Sequence, residues 1–235
     1  MEGNRERGEH AAVKIAVIGA SGKTGSRVVR EGHARGHHVV GVCRDGSAGA
    51  LEEFAGHNGF TLVTAPVISE EAALTRALEG CQAVIAVPIA VRKLKASEMV
   101  ASLVKATAVH GITRVVFTAG EITVRPAAGE TFTFRQKMMN ALLPPLLALT
   151  PYSLYDMVKG SDLARRQANW DWTFVRAPTL HEAPAAGYRF CELSDITSKD
   201  GLSREDFAAA LLDSVGNAEH HRRLVTVTAG EDPPN

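Results

Sequence analysis

Lys14-Ile-Ala-Val-Ile-Gly19-Ala-Ser-Gly22-Lys-Thr-Gly25 is the stretch on which the fold turns. Its first part is almost continuously apolar, as a strand covered on both faces must be. Glycines follow at Gly-x-x-Gly-x-x-Gly spacing, and then a segment of helical period begins. This is a variant of the dinucleotide-binding fingerprint. Gly19 allows a tight turn out of the strand, Gly22 lets backbone approach a diphosphate, and Gly25 lets the helix pack close to the sheet. An anion there meets free amides and the positive end of the helix dipole. Ser21, Lys23 and Thr24 add side-chain donors. The Gly22-Lys23-Thr24 run is not a triphosphate loop, because that motif needs a glycine where Val17 stands.

Outward from this turn the pattern repeats. Short β-branched runs at Val13–Ile18, His38–Cys43, Thr61–Val63, Ala83–Val87, Arg114–Thr118 and Trp172–Arg176 alternate with helical stretches near 23–35, 47–57, 69–79, 96–110 and 153–168. That alternation predicts an α/β chain: a Rossmann-like, doubly wound parallel sheet with a small C-terminal substrate-side extension. Residues 1–12 read as a flexible tail and 13–235 as one NAD(P)-binding domain, with substrate-side elements at about 119–152 and 177–223. Phe132, Phe134, Met138, Met139 and the Ala141–Leu149 run fall in the first of these. They read as a lid or wall over a pocket, a contact with a second copy in a homo-oligomer, or plain core packing. Ser203-Arg-Glu-Asp206 predicts a capped helix over 204–216, followed by a strand at Leu224–Thr228.

The second strand ends Val42-Cys43-Arg44-Asp45. A carboxylate at this place accepts from the adenosine ribose in NAD sites, whereas an arginine pairs with the 2′-phosphate of NADP. Arg44 predicts NADPH (NADP) as the cofactor, with Asp45 one position late for the competing role.

Composition narrows the function. The 235 residues carry 26 basic and 26 acidic side chains, a net charge of zero. That balance argues against a nucleic-acid partner. No apolar run is long enough to span a bilayer, so no membrane partner is expected. The first residues lack a signal peptide's apolar stretch. Three scattered cysteines form neither a disulfide framework nor a zinc site. The side chains of the adjacent pairs His37-His38 and His220-His221 diverge, which argues against a metal site. The expectation is a soluble cytoplasmic protein with a small-molecule substrate and no metal.

On these residues the chain resembles the atypical short-chain dehydrogenase/reductase group, in particular its NmrA-like and biliverdin-IXβ (flavin) reductase-like NAD(P)H-binding members. The resemblance rests on Lys14–Gly25, Val42–Asp45, Gly80-Cys-Gln-Ala-Val-Ile85, Gly111-Ile-Thr-Arg-Val-Val-Phe117, Asp171-Trp-Thr-Phe-Val-Arg-Ala-Pro178 and Leu202-Ser-Arg-Glu-Asp-Phe-Ala208. It implies either a reductase of flavins, quinones or natural-product ketones, or a cofactor-sensing regulator without turnover. An isomerase or epimerase that keeps its cofactor bound is a third possibility. Tyr155-Asp-Met-Val-Lys159 matches the family's Tyr-x-x-x-Lys pair. The resemblance then implies Tyr155 as proton donor and Lys159 as its partner and a ligand of the nicotinamide ribose.

Three departures stand out. Thr64-Ala65-Pro66 replaces the aspartate that often meets the adenine. Val87-Pro88-Ile89 replaces a glycine-type turn, so Val87 and Pro88 would face the cofactor there. Gly120 stands where many reductases carry a catalytic serine, and Thr118 is the nearest hydroxyl. Phe132, Phe134, Met138 and Tyr152 are expected to wall a flat substrate, and Arg176 to shape the cleft or to form a structural salt bridge.

Overall fold

A computed structural model describes residues 12–88, 94–147, 153–197 and 199–230. Residues 1–11 of the expected tail, Ile89 and Tyr152 lie outside the described residues. Among the described residues there are ten strands and six α-helices, alternating as predicted as far as α3: β1 Lys14–Ile18, α1 Lys23–Ala34, β2 His38–Arg44, β3 Phe60–Ala65, α2 Glu71–Ala77, β4 Ala83–Ala86, α3 Ala96–His110, β5 Arg114–Gly120, α4 Phe134–Leu147, α5 Leu154–Arg165, β6 Asp171–Ala177, β7 Thr179–His181, β8 Tyr188–Cys191, β9 Gly201–Ser203, α6 Arg204–Gly216 and β10 Arg223–Ala229.

Eight strands form the main sheet in the order β3-β2-β1-β4-β5-β6-β10-β8. All neighbours are parallel except β8, which runs antiparallel to β10. The chain winds outward from β1 in one direction and from β4 in the other. A doubly wound sheet opens a crevice at such a switch point, at the carboxyl ends of the strands. β7 and β9 pair separately as a small parallel ribbon.

Strand residues alternate between two cores, one on each face. Ala16, Ile18, Val40 and Val42 pack with Leu74, Met99 and Leu103 of α2 and α3. Ile15, Val17, Val39 and Cys43 pack with Val28 and Val29 of α1 and with Phe207 and Leu211 of α6. Burial on both faces explains why the strands read as unbroken apolar runs.

Some elements differ from expectation. The helix predicted over 47–57 is a 3-10 helix over Asp45–Phe54 that buries only Leu51 and Phe54, too narrow an apolar stripe to anchor a regular helix. β7, β8 and β9 have three or four residues each, too few to show a period. Among the described residues, no helix is long and apolar enough to cross a membrane.

One helix start is completed from elsewhere in the chain. α3 has no capping side chain of its own. Asp156 of α5 takes that place, accepting from the Ser97 amide at 3.3 Å and the Ser97 hydroxyl at 2.5 Å. Gly160, one turn on, lies so close that a Cβ there would come within 3.1 Å of the Ala96 backbone. This contact fixes how α5 is rotated.

Candidate functional site

A cleft of about 580 Å³ opens at the carboxyl ends of β1, β2, β4, β5 and β6. Gly19, Ser21, Gly22, Lys23, Thr24, Arg44, Val87, Pro88 and Thr118 all line it, as do Gly120 and Met157.

At one end the chain turns sharply out of β1. Gly19 has φ of +88°, which L side chains rarely adopt, and a Cβ on it would meet the Val87 carbonyl at 2.9 Å. The Gly19 and Ala20 amides both donate to the Val42 carbonyl, at 2.9 and 3.0 Å, tying the turn to β2. Gly25 does not line the cleft. It lets α1 cross against the turn, where a Cβ would lie 2.1 Å from the Gly19 oxygen.

The local chemistry fits a diphosphate. The first amides of a helix lack intrahelical partners, and α1 has neither a capping side chain nor an acidic residue in its first turn. Gly22 presents bare backbone: a Cβ there would meet only the Gly19 oxygen, at 3.3 Å. No side chain therefore does for these amides what an anion would do. Arg44 ends β2 with its side chain exposed at the rim. Cys43 beside it is fully buried, and burial pushes its thiol up despite a bond from Ser21. Both its burial and that upward shift act against the thiolate that a cysteine nucleophile needs.

Arg204, at the start of α6, also lines the cleft, with its guanidinium 3.4 Å from the Thr24 hydroxyl. Sequence reading did not single it out. Its only signal was the Ser203–Asp206 capping motif, whose Ser203 hydroxyl accepts from the Asp206 amide at 2.9 Å.

Toward α3 and α5 the lining is more apolar, with Pro88, Leu94, Ala96, Met99 and Met157, while Leu180 lies on the α6 side with Phe207. Thr118 supplies a hydroxyl and Lys95 an ammonium, the latter 2.6 Å from Glu98. At Gly120 the absent serine leaves a gap that Thr123 closes. The Gly120 amide donates to the Thr123 hydroxyl at 2.8 Å, and that hydroxyl donates back to the Gly120 carbonyl at 3.1 Å.

Tyr155 and Lys159 are not brought to this cleft. Both are exposed, Tyr155 to 81%. They do share one helix face, but Asp156 and Gly160 are pressed against α3, so Met157 is the α5 residue that reaches the cleft. Tyr155 instead borders a separate groove of about 500 Å³ with Ile122, Phe132 and Asn140. Of the expected apolar wall, Phe132 borders that second groove and not the cleft, Phe134 is 80% and Met138 43% exposed, and Tyr152 lies outside the described residues.

Arg176 forms a buried salt bridge. It is 1% exposed and holds Glu130 in two-pronged fashion, Nη1 to Oε2 at 2.9 Å and Nη2 to Oε1 at 2.5 Å. Burial pushes the Glu130 carboxyl up, but the bonds from Arg176 and the Ala127 amide outweigh it and hold it below the ordinary carboxylate range. The pair pins the loop after β5 onto the sheet beside the cleft. A second clamp, Arg135 with Glu121, joined by Gln136, holds the start of α4 in the same region.

A sequence profile for an NAD(P)H-binding family matches residues 19–218. No functionally curated protein is similar enough in sequence to match the chain. Among solved structures, a short-chain dehydrogenase/reductase from Veillonella parvula in complex with NADP aligns with a TM-score of 0.73 at 19% identity, covering 93% of this chain and 95% of the other. An oxidoreductase from Lactococcus lactis aligns with a TM-score of 0.70 at 14% identity, covering 93% and 91%. A Rossmann-fold NAD(P)-binding protein from Shigella flexneri aligns with a TM-score of 0.64 at 14% identity, covering 96% and 98%. At such identities the likeness is one of fold.

Proposed function

The chain belongs to the NAD(P)H-binding family, and from that premise we propose an NADPH-dependent reductase that passes hydride to a flat small-molecule acceptor, such as a quinone, a flavin or a polyketide-like ketone. The observation that carries this reading is the single cleft joining the capless start of α1 and Arg44 at one end to an apolar chamber at the other. Amides of the Gly19–Gly25 turn would hold the diphosphate and Arg44 the 2′-phosphate. Val87, Pro88 and Thr118 would border the nicotinamide. When bound, the cofactor supplies the hydride. The chain's own residues hold the partners in line and keep water from the apolar end.

Proton supply separates the acceptors. Tyr155 lies outside the cleft, so among the described residues the apolar end offers the Thr118 hydroxyl, the Lys95 ammonium engaged by Glu98, and solvent. Quinones and flavins, whose reduced forms take protons from water, suit that arrangement better than ketones. Tyr155→Phe is therefore expected to leave NADPH oxidation within about twofold of wild type, read against a panel of flavins, quinones and ketones. The same placement favours a second reading, an NADP(H)-binding regulator without turnover. Tight NADPH binding with no oxidation by any acceptor would move the assignment there.

Arg44→Ala is expected to weaken NADPH by roughly ten- to a hundredfold, the scale of a charge-assisted phosphate bond, while NADH changes little. Titration of the variant with both cofactors measures the ratio. An unchanged ratio would remove Arg44 from the phosphate site. The free cysteines Cys43, Cys81 and Cys191 suit a reducing, cytoplasmic setting.

A further inference from the structure

We propose that Arg204 is the side-chain ligand of the cofactor's diphosphate and that Glu182 competes with that diphosphate for it. The inference rests on the reading that NADP(H) occupies the cleft, and adds a residue that sets its affinity.

Glu182 follows β7 and collects three cations. Arg204 Nε lies 2.9 Å from its Oε1, Arg27 Nη2 lies 2.6 Å from its Oε2, and Lys23 Nζ is 3.5 Å away. Lys23 and Arg27 stand on the first turns of α1, and Arg204 opens α6. Two helix starts thus converge on one carboxylate, while the Glu205 and Asp206 carboxylates of the same α6 turn accept from the Ala185 amide and from the Ala186 and Gly187 amides. Lys23 and Glu182 face solvent, at 75% and 48% exposure, but the Arg27 and Arg204 side chains are only 22% and 20% exposed. A guanidinium fork held in place at such a site is suited to pairing with an anion.

The three cations have different orientations. Arg27 turns inward: its Nη1 donates to the Lys23 carbonyl at 2.7 Å, and its Nε is buried without a partner. Arg204 and Lys23 line the cleft beside the α1 amides. Arg204 reaches the Thr24 hydroxyl with Nη1 and spends Nε on Glu182. A diphosphate at the cleft would meet the Arg204 fork and the Lys23 ammonium. Seated at Gly22–Thr24, it shares the Arg204 guanidinium with Glu182, whose like charge opposes it. The three cations also hold the Glu182 carboxyl below its ordinary range, Arg204 first among them, so it stays ionised at neutral pH.

Calorimetric titration with NADPH tests this in wild type, Arg204→Met, Arg204→Lys, Glu182→Gln and the double variant Arg204→Met/Glu182→Gln. Arg204→Met is expected to weaken NADPH about tenfold or more and Arg204→Lys by less, since lysine keeps the charge but not the fork. Adenosine 2′-monophosphate, which carries no phosphate at the diphosphate site, should change less than about threefold. Glu182→Gln keeps an oxygen for Arg204 Nε but drops the charge. It is expected to tighten NADPH roughly three- to tenfold, and to lose that effect once Arg204 is Met. Unchanged NADPH affinity in Arg204→Met, or weakening by Glu182→Gln, would overturn the proposal. If Arg204→Met does not fold, the smaller loss in Arg204→Lys with the same ligand dependence carries the test. A wild type that binds no NADPH overturns the cofactor reading itself, a result distinct from these.

Discussion

Gly25→Ala is expected to abolish NADPH binding in titration and to lower the thermal midpoint by on the order of 10 °C. Alanine inside a helix normally stabilises it over glycine by about 0.5–1 kcal/mol, so intrinsic propensity predicts the opposite sign. Packing decides against propensity here. A Cβ at Gly25 would stand 2.1 Å from the Gly19 carbonyl oxygen and 2.9 Å from the Ala20 Cα, both backbone atoms that no rotamer change can move. Relief requires α1 to slide away from the turn, at a cost of about 3 kcal/mol or more. The same slide carries the amides of Lys23 and Thr24 out of register with the cleft, which is why binding falls further than stability. Gly49→Ala is the control: a Cβ there meets nothing within 4 Å, and its midpoint should stay within a degree or so of wild type. A Gly25→Ala protein that melts like wild type would show that the α1 crossing has slack the geometry does not suggest.

Arg176→Met is the second large effect, an expected loss of about 3–5 kcal/mol in denaturant unfolding. Removing one partner of a buried pair leaves the other charge uncompensated, and Glu130 is then held in the loop beside the cleft without its guanidinium. Arg176→Met/Glu130→Gln should recover much of the loss, because neither charge then remains. Glu130→Gln alone gives a pH signature. The Glu130 carboxyl titrates below its ordinary range in the folded protein, so its contribution is complete above that range and disappears as the pH falls through the folded value. Wild type should exceed Glu130→Gln in stability at neutral pH, and the two should converge in acid below the usual carboxylate range. Parallel curves across that window would mean that the ion pair adds nothing.

What could be read from sequence follows the range of each signal. The Gly19–Gly25 turn was legible because all its determinants lie within a dozen residues and each glycine answers a local steric demand. The parallel strands were legible because cover on both faces leaves long apolar runs. Tyr155 and Lys159 mark the limit. Four-residue spacing says that two side chains share a helix face, not where the face points, and here the contact of Asp156 and Gly160 with α3 sets the rotation. Arg204 meets Thr24 across 180 residues, through strands too short to announce themselves. No local pattern could place it.

Supplying the cap of α3 from α5 imposes an order of events during synthesis. The strands that precede α3 can pair with one another as they leave the ribosome, although the apolar face of α1 waits for α6. α3 itself has to wait with a frayed beginning until some sixty further residues have been made and Asp156 arrives at Ser97. The chamber flanked by Ala96, Met99 and Met157 is consequently among the last parts of the molecule to mature, and a nascent chain halted short of that aspartate would hold the phosphate-facing turn without a finished chamber beside it.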